Sequence, residues 1–147
     1  MFIGREEELK FLEDRYNSAD GQLVVLYGRR RVGKTELLRQ FCQDKEHIFY
    51  TCTEIIDEKQ LEAFSQRLLE KNHQAAKYIT RFSDWEQALL SISELAKEKK
   101  IVVVIDEFPY MVKGNNAIPS LLQKLWVEVL QQSYVMLFLG GIEMSFI

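Results

Sequence analysis

Gly28-Arg29-Arg30-Arg31-Val32-Gly33-Lys34-Thr35 sets two glycines, a lysine and a hydroxyl at the spacing G-x-x-x-x-G-K-[ST]. Those residue types suit a polyphosphate. Glycines let a backbone curl until its N–H groups converge on an anion. A helix opening at the lysine would aim its positive end at the same charge. Lys34 would reach the β- and γ-phosphates, and the Thr35 hydroxyl would ligate Mg²⁺. The expected ligand is therefore a nucleoside triphosphate.

A second set of groups lies far along the chain. Ile101-Val102-Val103-Val104-Ile105 runs directly into Asp106-Glu107. A continuous β-branched run is the pattern of a parallel strand covered on both faces, and ligands of open α/β sheets bind at the carboxyl ends of such strands. Asp106 is expected to hold Mg²⁺ through water, opposite Thr35. Glu107 is expected to orient, or take a proton from, the water that attacks the γ-phosphate. Alone, an acidic pair after a strand is an ordinary turn; its pairing with the upstream loop is what favours the metal site.

The elements that must position these groups are legible. Gln22-Leu23-Val24-Val25-Leu26-Tyr27 predicts a strand before the loop, and Leu37, Leu38 and Phe41 predict a helix after it, over about 34–43. A helix is expected over 6–18 with Leu9, Leu12 and Tyr16 on one face. His47–Cys52 reads as a second strand. Asp57 with Gln60 resembles a capping box, as does Ser83 with Glu86, each opening a helix with an apolar stripe. A loop with Gly114-Asn115-Asn116 leads past Pro119 into a helix bearing Leu121, Leu122, Leu125, Trp126 and Val129. Tyr134–Leu139 reads as a fourth strand, closed by Gly140-Gly141. Helices alternating with strands predict an α/β fold with a mainly parallel sheet flanked by helices.

Composition narrows the class further. The 147 residues suffice for one domain with a real core, and 47% hydrophobic residues with mixed charges argue against disorder. A net charge of −3 supplies no general attraction to nucleic acid. Arg29-Arg30-Arg31 is the dense basic run, open to two readings: solvated side chains around an anion, or a DNA contact. Cys42 and Cys52 are too few for a disulfide framework, and His47 and His73 stand apart from any ligand cluster, so no structural zinc is expected. Apolar runs are too short to span a membrane and no secretion signal opens the chain, which makes the cytoplasm the expected location.

The assembled residues resemble a known family. Phe2-Ile3-Gly4-Arg5-Glu6 with Glu8-Leu9, then Leu26-Tyr27 through Thr35-Glu36-Leu37, then Ile105-Asp106-Glu107-Phe108-Pro109-Tyr110, and finally Pro119–Gln123 with Trp126, look like the archaeal-type ATPases related to the AAA+ and STAND groups. Strand-end Asp-Glu is also similar to the additional-strand ATPases, and no guanine-reading Asn-Lys-x-Asp segment is present. The resemblance implies a three-layer P-loop NTPase fold with ATP and Mg²⁺ as ligands. Gly28, Arg29, Arg31, Val32, Gly33, Lys34, Thr35 and Glu36 would contact the nucleotide, Lys34 and Glu107 would act in catalysis, and Thr35 and Asp106 would serve the metal. It further implies that Ile3 and Arg5, with Phe2, lie near the base, although an ordinary helix start also explains Gly4-Arg5-Glu6.

Two departures from the family stand out. Relatives usually continue beyond a fourth strand, so the chain resembles an N-terminal core, C-terminally incomplete, with no assignable arginine finger. Where relatives commonly place Cys-Gly-Ser-Ser, this chain has Gly140-Gly141-Ile142-Glu143. Both departures bear on hydrolysis more than on binding. Slow ATP hydrolysis is the leading expectation. A non-hydrolysing, nucleotide-gated interaction module is the alternative, with self-association or a protein partner, and a DNA-associated role rests on family analogy alone.

Overall fold

The computed structural model describes residues 3–27 and 33–142. Its order is α1 (Ile3–Tyr16), β1 (Gln22–Tyr27), α2 (Lys34–Cys42), β2 (His47–Thr51), α3 (Asp57–Lys71), the single turn α4 (His73–Ala76), α5 (Trp85–Leu95), β3 (Ile101–Asp106), α6 (Phe108–Gly114), α7 (Ile118–Glu128) and β4 (Val135–Ile142). The strands form one sheet in the order β1-β4-β3-β2, every pairing parallel. The expected α/β class and flanked parallel sheet are what the structure has.

Side-chain alternation builds the layers. In β3, Ile101, Val103 and Ile105 face one side, together with Ile48 and Tyr50 of β2 and Val135, Leu137 and Leu139 of β4; there they meet Phe64, Leu68, Leu89, Ile92, Met111 and Leu125 from the helices α3, α5, α6 and α7. Val102 and Val104, with Phe49, Met136 and Phe138, face the other side, against Leu12 of α1 and Leu37, Leu38 and Phe41 of α2. Every residue of β3 is buried. Each large aliphatic so enclosed contributes about 1.5–3 kcal/mol relative to exposure, which makes β3 the centre of the fold.

Two helix starts differ from the capping expectations. Asp84, rather than Ser83, caps α5: its carboxylate accepts the Gln87 N–H at 2.8 Å. Asp57 is the first residue of α3, whose N-cap is Ile56. The Asp57 carboxylate instead accepts the Trp85 indole N–H at 2.8 Å, so it joins α3 to α5. Pro119 falls within the first turn of α7, where its missing N–H costs nothing. The seven-residue helix α6 lies where the sequence predicts a loop. β4 runs through Gly140 and Gly141 to Ile142 instead of ending before them.

On the other face, Lys45 fastens α1 to the end of α2. Its side chain is 6% exposed, and its ammonium lies 2.6 Å from Glu13 Oε2, 3.0 Å from Asp44 Oδ1 and 3.0 Å from the Phe41 carbonyl. Burial pulls the Lys45 pKa down, but the hydrogen bonds to Glu13 and Asp44 outweigh it, and the net shift is upward. The N-terminal helix is thereby held beside the helix that follows the phosphate loop.

Candidate active site

The topology explains why residues 71 positions apart meet. Strand β1 lies at one edge of the sheet and β2 at the other, so α2 must cross β4 and β3 to connect them. Its first turn therefore passes the carboxyl ends of the central strands. In β3 the period of two puts Asp106 on the same face as Val102 and Val104, the α2 face. The Thr35 hydroxyl accordingly donates a hydrogen bond to Asp106 Oδ2 at 2.9 Å. Asp106 is 5% exposed.

Gly33 is the N-cap of α2, with φ 87° and ψ 1°, a left-handed conformation that glycine adopts without penalty. The helix is closed behind it by Leu37 N–H donating to the Gly33 carbonyl at 2.9 Å. Lys34 and Thr35 are partly exposed in the first turn and Glu36 is exposed. Gly28, Arg29, Arg31 and Val32 lie outside the described residues, as does Phe2. Ile3 and Arg5 fall in the first turn of α1, with their side chains outside the description.

Glu107 takes the left-handed conformation at φ 55°, ψ 41°, the one non-glycine residue with positive φ among those described. Such a backbone costs about 1–2 kcal/mol and persists only where its surroundings enforce it. Three hydrogen bonds do so. Cys52 N–H donates to the Asp106 carbonyl at 2.9 Å, Glu107 N–H donates to Asp106 Oδ1 at 3.0 Å, and Tyr110 N–H donates to the Glu107 carbonyl at 3.1 Å. The chain thus turns sharply from β3 into α6, and Glu107 Oε2 is buried at that corner.

Neighbouring groups brace the corner from β2. Gln60, 1% exposed, accepts from the Tyr50 hydroxyl and donates to the Thr53 carbonyl at 2.8 Å, pinning the segment after β2. Cys52, just past β2, is a buried free thiol. Burial pushes its pKa up to about 12, with the Asp106 and Glu107 carboxylates adding to the effect against a backbone hydrogen bond from Met111. It is a packing residue and no nucleophile at neutral pH.

The donor set suits Mg²⁺. Among the described residues no group of three or more His, Cys, Asp and Glu side chains is placed to hold a metal. One hydroxyl and one carboxylate match an ion that keeps several waters and takes its remaining ligands from substrate phosphates. The sequence pattern ends the fourth strand before Gly140, yet Gly140 lies inside β4 against Asp106. Its signal was present: a glycine pair at the end of an apolar run marks close backbone approach as readily as a turn.

Comparison with known proteins bears on the family and the fold. Residues 2–140 match the family described as ATPase domain predominantly from Archaea. An uncharacterized protein of Methanocaldococcus jannaschii is 35% identical over 125 residues, which is 85% of this chain and 26% of that protein. An uncharacterized ATP-binding protein of the same organism is 52% identical over 46 residues, 31% of this chain and 78% of that protein. The Walker-type ATPase of Pyrococcus abyssi superposes with a TM-score of 0.62 at 23% identity, covering 96% of this chain and 45% of that one. Cdc6p from Pyrobaculum aerophilum superposes with a TM-score of 0.65 at 16% identity, covering 99% and 41%. The chain therefore spans about a quarter of the first relative, and less than half of each solved structure, whose likeness establishes the fold. Fold, phosphate-loop pattern and family match converge: the chain belongs to the ATPase-domain family found predominantly in Archaea.

Proposed function

We propose that this chain binds Mg·ATP at the carboxyl edge of its sheet, between the first turn of α2 and the end of β3, and hydrolyses it slowly to ADP and phosphate. The observation that carries the reading is the 2.9 Å bond between Thr35 and Asp106, which unites the two chemically loaded segments of the sequence. The family match and the ATP-binding relative support the choice of nucleotide.

The N–H groups of the phosphate loop and the Lys34 ammonium bind the β- and γ-phosphates. Thr35, and Asp106 through water, would hold Mg²⁺, which when bound supplies positive charge beside the phosphate oxygens. Glu107 orients a water in line with the γ-phosphorus. The water oxygen forms the new bond to phosphorus, the bridging oxygen leaves with ADP, and Glu107 takes the water's proton. The strained backbone of Glu107 fixes this carboxylate at the corner that follows the metal-site aspartate.

Single-turnover hydrolysis with excess protein tests the proposal. Wild type is expected to release phosphate, and Glu107→Gln to bind ATP normally with turnover reduced about 10²–10⁴-fold, as for loss of a general base. Intact ATP after hours with wild type would move the chain to the nucleotide-gated module.

A further inference from the structure

We propose that Gln60 is a positioning residue for Glu107, acting through the backbone of Thr53 and Cys52; this rests on the hydrolytic reading above. Gln60 is the fourth residue of α3 and is 1% exposed, on a helix whose other buried positions are Leu61, Phe64, Ser65, Leu68 and Leu69. An amide so enclosed costs stability unless its polar atoms are bonded, and here both are. Oε1 accepts from the Tyr50 hydroxyl and from the Thr53 N–H at 3.4 Å, and Nε2 donates to the Thr53 carbonyl at 2.8 Å. The side chain thereby engages the N–H and the C=O of one residue, as a neighbouring strand would.

β2 is an edge strand of the described sheet and ends at Thr51. Along this segment, backbone groups turn to alternate sides. Phe49 presents its carbonyl outward, to the Arg67 guanidinium at 2.8 Å, and Thr53 turns outward to Gln60. Cys52 faces inward, and its N–H donates to the Asp106 carbonyl at 2.9 Å. That carbonyl belongs to the peptide joining Asp106 to Glu107, so the bond fixes the plane from which Glu107 takes φ 55°. Gln60 and Asp106 thus grip the segment from its two sides. Without Gln60 the Cys52 N–H loses its fixed position, and Glu107 relaxes towards the right-handed backbone that an L-residue prefers, carrying its carboxylate off the attacking water. Nucleotide binding is left intact, because α3 packs on one face of the sheet and α2 on the other.

The test is single-turnover phosphate release and calorimetric ATP affinity for wild type, Gln60→Leu, Glu107→Gln and the double variant, with circular dichroism to confirm folding. Gln60→Leu is expected to keep ATP affinity within about twofold and to slow release about 10–10²-fold, as for a misplaced catalytic group. In the Glu107→Gln background it is expected to slow release no further, since the group it positions is already lost. Equal slowing in both backgrounds, loss of ATP affinity, or unchanged release overturns the inference. Should Gln60→Leu not fold, Tyr50→Phe, which frees the amide to turn without removing it, is read in the same way. Amide hydrogen exchange keeps the inference separable from the hydrolytic reading. Gln60→Leu is expected to speed exchange of the Cys52 and Tyr110 amides about tenfold or more and that of Leu37, in α2, less than about twofold. Wild type that releases no phosphate beside that exchange pattern fails the hydrolytic reading alone; unchanged exchange at Cys52 and Tyr110 overturns the inference.

Discussion

At the scale of single residues, Glu107 carries a conflict between stability and chemistry. Its side chain is the proposed water-orienting group, yet its backbone sits where an L-residue costs about 1–2 kcal/mol. Glycine has no such penalty in that region. Glu107→Gly is therefore expected to raise the urea-unfolding free energy by about 1 kcal/mol while abolishing phosphate release; a destabilised variant would show that the carboxylate supports the fold. The Thr35–Asp106 bond invites a second measurement. In a double-mutant cycle of Thr35→Val and Asp106→Asn, read as Mg²⁺-dependent ATP affinity, a coupling of about 0.5–3 kcal/mol is expected. Additive losses would mean that the two side chains serve separate ends.

At the scale of elements, what holds the site is the set of turns leaving the carboxyl ends of the strands. The strands were legible because burial writes itself into composition: β3 is a run of branched residues, and the start and end of β1 are those its pattern predicts. The short helix α6 is not legible in the sequence. Its seven residues are too few for a clear helical period, and it follows a glutamate in a conformation that sequence patterns assign to glycine. Gly140 and Gly141 show the converse, since local propensity ends a strand at glycine whereas the approach of Asp106 and Glu107 requires it inside β4. The helix caps show the same limit. Ser83 and Asp84 are both good caps, and only the structure chooses between them. Asp84→Ala is expected to cost about 1 kcal/mol and lower the melting temperature by about 2–4 °C. Ser83→Ala, the control, is expected to leave the melting temperature unchanged, and equal losses would contradict the assignment of the cap.

At the scale of the whole molecule, a core closed on both faces of the sheet makes the chain sensitive to alkali. Burial pushes the Cys42 thiol up to about 11, against the opposing charges of Lys45 and Arg39, and raises Cys52 and Tyr50 to about 12. Each folded value lies above its unfolded one, so the folded state retains protons that the unfolded chain gives up. The associated stability is fully present below the unfolded thiol pKa, about 8.5, and falls as pH rises towards 11 and 12. Each thiol contributes a slope of up to about 1.4 kcal/mol per pH unit in that window. Melting temperatures between pH 7 and 10.5 should be flat and then fall, and Cys42→Ala with Cys52→Ala should lessen the fall; an unaltered slope would contradict the burial assigned to the two thiols. Among the described residues no helix is long and apolar enough to cross a membrane. The central claim is that two distant segments make one triphosphate site, and calorimetric titration of ATP with Mg²⁺ into wild type and Lys34→Ala tests it most directly. Saturable binding by wild type, with affinity reduced at least tenfold in the folded Lys34→Ala protein, is the predicted result; equal affinity in the two would contradict the account.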